Sequence, residues 1–197
     1  TDTKNLKAEG VDENVIYEVG SLLEESFQDK NVSGDGDYVF CSFTHPSNEH
    51  DPVFYRELIP ILNDLSKKRE IIIALENDVV EVLKERNLLQ NLDGNIKVIE
   101  PPSVAEMLDL VKNAALVLTD DEKAQLLTSA LEKQCITFGN VIENPFTVAE
   151  STNHLVGIHL HELRNLSLAI LEGYQKKKKK ARLSNASSNI TETLKRL

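Results

Sequence analysis

The chain has 197 residues, of which 41% are hydrophobic and 27% charged, a globular balance that excludes a disordered or fibrous polypeptide. No apolar run reaches the ~20 residues that span a bilayer, so no membrane role is expected. The two cysteines, Cys41 and Cys135, are too few for a disulfide framework and point to a reducing, cytoplasmic setting. A net charge of −10 argues against a nucleic-acid partner, although residues 176–180 form an unbroken run of five lysines.

In chain order, residues 2–9 read as a short helix, 15–19 as a strand and 21–28 as a second helix. The Gly/Asp-rich stretch 31–37 reads as a loop. Six further strands follow at residues 38–43, 71–75, 96–99, 115–118, 135–138 and 155–158. Most are continuously apolar, as strands covered on both faces are. Helical patterns separate them. Asp51 caps the first, Pro52 opens it, and Phe54, Leu58, Ile61, Leu62 and Leu65 form its stripe. Pro60 should kink or break that helix. Asn77 is placed to cap the next helix, with Val80, Leu83 and Leu88 turned inward. Ser103 and Glu106 have capping-box spacing, as do Thr119 and Glu122. Residues 161–174 form a further amphipathic helix, and 189–197 a last one.

Strands alternating with helices imply parallel strands and right-handed crossovers. The expected fold is therefore α/β, a Rossmann-like doubly wound parallel sheet. The expected divisions are a lead-in segment (1–37), a Rossmann-like body of UDP-sugar-binding type by the resemblance described below (38–175), and a basic linker with a carboxy-terminal helix (176–197). In such a sheet the strands carrying Cys41 and Cys135 lie two steps apart, ~10 Å, too far for a disulfide.

Ligands of doubly wound sheets bind at the carboxyl ends of the strands. The loops beginning at Thr44, Thr119 and Gly139 should therefore share one edge and face a common crevice. The first contains His45, whose side chain can act as general acid or base. After Thr119 the chain reads Asp120-Asp121-Glu122-Lys123 and turns straight into a helix. A helix N-terminus ordinarily receives phosphate, but here acidic side chains hold that position. An incoming diphosphate would meet like charge, at up to ~4 kcal/mol per pair at ~4 Å and an effective dielectric of ~20. No metal-ligand spacing or cofactor motif is present; alternation in an exposed strand accounts for His159 and His161. The lysine run reads as a solvated tail, with electrostatic docking as the alternative.

Several segments, in one order along nearly the whole chain, resemble the second half of the non-hydrolysing UDP-N-acetylglucosamine 2-epimerases. They are Asn5-Leu6 to Gly10-Val11; Thr44-His45 to Asn48 with Asp51-Pro52; Asn95 to Pro101; Leu116 to Asp120 with Gln125; and Glu143 and Pro145 through Thr152-Asn153 to Gly157. The resemblance implies one half of a two-domain GT-B-type architecture. It also implies an isomerase that removes UDP to a glycal and adds it back with inverted C2. Carried over residue by residue, His45 is the catalytic side chain, and Thr119, Gln125 and Glu143 are UDP-sugar contacts. No metal and no cofactor are implied.

The departures fall on ligand-facing loops. Pro46 follows His45 where the family has arginine. Asp121-Glu122-Lys123 stands for Ser-Gly-Gly, Leu126-Leu127 for two glutamates, and Asn144-Pro145-Phe146 for Arg-Pro-Glu. The reading is an epimerase-like domain that is not catalytic alone and acts as an interaction or regulatory module. The alternative is the sugar-nucleotide-binding half of an active epimerase, completed by another domain or subunit. A UDP-sugar is the implied ligand, with a protein partner, a second domain or a further copy of the chain beside it. The last helix, which in the resembled family crosses to the other domain, should keep Ile190, Leu194 and Leu197 out of the sheet's core.

Overall fold

The computed structural model describes residues 2–27, 36–44, 51–139, 142, 144–177 and 185–196. Six parallel strands make one sheet: β1 Tyr38–Ser42, β2 Glu70–Ala74, β3 Ile96–Ile99, β4 Ala114–Thr119, β5 Cys135–Thr137 and β6 Asn153–Leu155. Their order is β3-β2-β1-β4-β5-β6, the doubly wound arrangement. Register pairs Ser42 with both Ala74 and Thr119, and Thr119 with Thr137, so these carboxyl ends line one edge.

The strands are apolar on both faces because both faces are covered. In β1, Val39 and Cys41 turn to one core and Phe40 to the other; in β4, Leu116 and Leu118 oppose Val117. The larger core is filled by α3 (Pro52–Leu65), α4 (Asn77–Glu85) and α8 (Leu160–Leu171). The other face carries α5 (Val104–Asn113) and α6 (Glu122–Ala130) through Met107, Val111, Ala124 and Leu127. A short helix α7 (Pro145–Ala149) precedes β6. Before β1, a Cβ on Gly36 would lie 2.1 Å from the Ala114 carbonyl carbon, so only glycine lets the chain pass there.

The ends of the chain meet outside the sheet. Helix α1 (Asp2–Ala8) leads through a 3-10 turn, Glu13–Val15, to α2 (Leu22–Phe27). Helix α9 (Ala186–Arg196) packs on α2, and α2 on α6. The Glu25 carboxylate accepts both the N–H (2.8 Å) and the hydroxyl (2.7 Å) of Ser187, and Asn189 donates to the Val19 carbonyl. Leu194 stays 67% exposed and Ile190 half-buried, outside both sheet cores as expected. Leu197 lies outside the described residues.

Several local expectations are corrected. Residues 15–19 are not a strand: among the described residues no strand forms a ladder with them, and Val15 and Tyr17 face solvent. Pro60 does not break α3; it stands on the exposed side, away from the apolar stripe. Glu76, not Asn77, is the N-cap of α4, without a side-chain bond, and Val79 is buried more deeply than Val80. The capping box of Ser103 and Glu106 is present. The one read at Thr119 and Glu122 is not, because Asp121 caps α6. His159 and His161 belong to the start of α8, not to a strand, since β6 ends at Leu155. The loop 31–37 is described only at residues 36 and 37.

Candidate functional site

Strand order reverses between β1 and β4, and the crevice opens at their carboxyl ends. A set of hydrogen bonds closes the floor of this switch point. The Thr119 hydroxyl donates to the Ser42 carbonyl at 2.7 Å and accepts the Asp121 N–H at 2.9 Å. The Asp120 N–H reaches the same carbonyl at 3.4 Å. The Asp120 carboxylate accepts the Thr44 N–H at 2.7 Å, tying the loop after β1 to the loop after β4.

Asp121 then caps α6 by accepting the Lys123 N–H at 3.0 Å. Glu122, the first residue of that helix, accepts an amide hydrogen from Asn144 at 2.9 Å. Burial pushes the Asp121 carboxyl above its ordinary range, and neighbouring Asp120 adds to the rise, while the Lys123 N–H bond and charge act the other way. Two N–H groups at this edge, those of Thr44 and Lys123, are thus held by the chain's own carboxylates.

A cavity of about 230 Å³ lies beside this edge. Pro101, Pro102, Val104 and Met107 give it apolar lining, and Glu76, Asp121 and Lys123 are its charged lining residues. A larger hollow of about 430 Å³ sits at the opposite edge, near Arg69, Lys133 and the carboxyl ends of α6 and α8.

Of the residues singled out in the sequence, Thr119 and Gln125 sit together at this edge. Thr119 is fully buried, with its hydroxyl committed to backbone partners. Gln125 is 3% exposed; its amide nitrogen approaches the Asp120 carbonyl at 3.5 Å, and its buried oxygen has no partner among the described residues. His45 and Glu143 lie outside the described residues. The residues that open these loops, Thr44, Thr119 and Gly139, do share one edge, and the Phe138 N–H donates to the Thr119 carbonyl.

Two features escaped sequence reading. Lys176 is not a solvated member of its run: its ammonium donates to the Val148 carbonyl (2.6 Å) and to the Asn153 carbonyl at the sheet edge. Its backbone exchanges two hydrogen bonds with the Gln134 amide, at 3.0 and 2.9 Å. Beside it, burial and the Lys176 charge lower the His154 pKa to about 4. Buried Asn153 joins the hydroxyls of Thr137 and Thr147 at 2.9 and 3.0 Å. Nothing in a run of identical lysines marks which one turns inward.

Comparison with known proteins matches residues 1–195 to the UDP-N-acetylglucosamine 2-epimerase family. The curated UDP-N-acetylglucosamine 2-epimerase of Methanocaldococcus jannaschii is 30% identical over 178 residues, 81% of this chain and 49% of that protein. Its counterpart from Methanococcus maripaludis is 28% identical, over 80% of this chain and 48% of that protein. The chain therefore spans about half the length of the curated relatives it matches. A crystal structure of the M. jannaschii enzyme with UDP-GlcNAc and UDP superposes with a TM-score of 0.75 at 27% identity, covering 98% of this chain and 58% of that one. A Neisseria meningitidis epimerase structure at 18% identity shares the fold, with a TM-score of 0.76 over 99% of this chain and 59% of that one. Sheet order, the family match and the relatives agree, and the chain belongs to the UDP-N-acetylglucosamine 2-epimerase family.

Proposed function

We propose that this chain is a non-catalytic domain of epimerase type, an interaction or regulatory module whose crevice its own carboxylates close to a diphosphate. One observation carries the reading: the Thr44 and Lys123 N–H groups, on either side of the switch point, are bonded to Asp120 and Asp121. A diphosphate would have to displace two carboxylates and then sit among them. In this reading residues 38–175 form the body, and 1–37 and 176–197 are its lead-in and exit segments. The likeness to solved relatives of nearly twice this span favours a partner domain, in the same or another polypeptide, over further copies of the chain.

A second reading is favoured by the M. jannaschii complex with UDP-GlcNAc and UDP and by the unpartnered buried oxygen of Gln125. In it the chain is the sugar-nucleotide-binding half of an active epimerase. His45 is then the catalytic side chain, and Thr119, Gln125 and Glu143 contact the UDP-sugar. Calorimetric titration of the chain with UDP-N-acetylglucosamine separates the two. The first reading expects no micromolar binding; micromolar binding, which the second reading requires of this half even without its completing domain, would favour the second.

A further inference from the structure

The outer strand of a sheet presents peptide groups that its inner neighbour cannot pair, a template on which a further strand can form. Strand β6 is such an edge, the last in the order β3-β2-β1-β4-β5-β6. The Val156 N–H reaches the Thr137 carbonyl at 3.1 Å, so Val156 and His154 face β5. Because peptide groups alternate in direction along a strand, those of Asn153 and Leu155 point away from the sheet. Leu155 is 39% exposed, but Asn153 is fully buried, and its outward carbonyl is taken by the Lys176 ammonium. The same ammonium donates at 2.6 Å to the Val148 carbonyl in the last turn of α7. Lys176 is itself braced, since its N–H and carbonyl both bond the Gln134 side-chain amide. Alongside, the Tyr174 ring stands 5.8 Å from that of His154, and Leu155, Ile158 and Tyr174 leave apolar surface open to solvent.

We propose that Lys176 guards the β6 edge, holding the Asn153 carbonyl so that a second copy of this chain cannot add its own β6 as a further strand. A second copy is the strand excluded because every copy presents the same edge, and two identical edges pair antiparallel about a twofold axis. Such pairing would have to displace an ammonium that bonds two carbonyls, and would bring two of these cations together. Without the cation, the Asn153 carbonyl, the Leu155 peptide and the apolar surface beside them form an edge that accepts a strand. General charge effects work the other way. The chain already carries a net charge of −10, so losing a lysine strengthens the repulsion between copies. The role belongs to the first lysine of the run and not to its exposed neighbour Lys177. It is independent of whether the crevice at the carboxyl ends of the strands takes a UDP-sugar.

The test follows self-association of the full chain by analytical ultracentrifugation, and hydrogen exchange at β6 over a range of protein concentrations. Lys176→Met should self-associate at least tenfold more tightly than the parent, ~1.4 kcal/mol, while Lys177→Met should not. In Lys176→Met, exchange at β6 should be faster than in the parent when dilute and should slow as concentration rises. The opposite edge, β3, should show no such dependence. Adding Leu155→Lys to Lys176→Met should restore the parent's behaviour, because a charge again stands on the edge. Gln134→Ala keeps the cation but removes both bonds that brace Lys176, and should shift association in the same direction. It carries the test if Lys176→Met does not fold. A folded Lys176→Met, or in its place a folded Gln134→Ala, that associates no more than the parent overturns the inference. So does equal association by Lys177→Met, or β6 exchange that does not respond to concentration, the mark of a merely structural lysine.

Discussion

Thr119 offers a quantitative check on how the switch point is built. Its side chain is fully buried, and its hydroxyl joins β1 to the first turn of α6 by donating to the Ser42 carbonyl and accepting the Asp121 N–H. Replacement by valine keeps the volume and the β-branched shape but removes both bonds. Each is worth about 1 kcal/mol net, and an unsatisfied buried group costs about 1–3 kcal/mol. The Ser42 carbonyl retains the Asp120 N–H at 3.4 Å, and the Asp121 N–H lies near enough to the surface for water to reach. Those two compensations set the expectation at the lower end, about 2 kcal/mol. For a chain of this size that lowers Tm by roughly 4–8 °C. Urea unfolding of Thr119→Val, followed by far-UV circular dichroism, measures it, with Thr119→Ser expected to recover at least half of the loss. A Thr119→Val protein within 0.5 kcal/mol of the parent, on the order of an ordinary surface change, would refute the stitch and return Thr119 to a ligand-facing role.

The His154 imidazole should titrate near pH 4 in the folded chain, because burial and the Lys176 charge both disfavour its cation. Its folded pKa lies below the unfolded ~6.5. Its contribution to stability is therefore complete above about pH 6.5 and is lost as pH falls towards 4. Lys176→Met should raise the His154 pKa part of the way back, since burial remains, and should increase hydrogen exchange at the edge strand β6; an unchanged pKa would remove Lys176 from the account. Burial pushes both cysteine thiols up, Cys135 to about 12 and Cys41 further. Neither should react with a thiol reagent at pH 8 without denaturant, and labelling within minutes would contradict their placement in the core.

The fold was largely legible because its strands are short apolar runs bounded by caps, and both signals are local. Val39, Cys41, Leu116 and Leu118 read as buried from their neighbours alone, and Ser103 with Glu106 read as a box from spacing alone. Residues 15–19 failed for the complementary reason. The residue types Val15, Ile16, Tyr17 and Val19 suit a strand, but strand formation depends on a partner that no local pattern supplies. The cap of α6 failed by competition: Thr119 had the right spacing, yet its hydroxyl is taken by Ser42 across the sheet, a contact 77 residues away in sequence. The acidic turn after Thr119 was readable as an occupied anion site. That Asp120 binds Thr44 while Asp121 binds Lys123 was not, because the first bond exists only once β1 and β4 are neighbours.

The central claim is that carboxylates at the switch point, Asp121 at the cap of α6 above all, with the charge of Glu122 beside it, close the helix end where a diphosphate would sit. The most direct measurement compares UDP binding, by calorimetric titration near neutral pH, between the parent and the triple variant Asp121→Ser/Glu122→Gly/Lys123→Gly. The replacement removes two negative charges, keeps a hydroxyl at the cap and opens the backbone to close approach. The account predicts little or no heat from the parent and at least a tenfold gain in affinity, ~1.4 kcal/mol, in the variant. Micromolar UDP binding by the parent, or a folded variant with no gain, would contradict it.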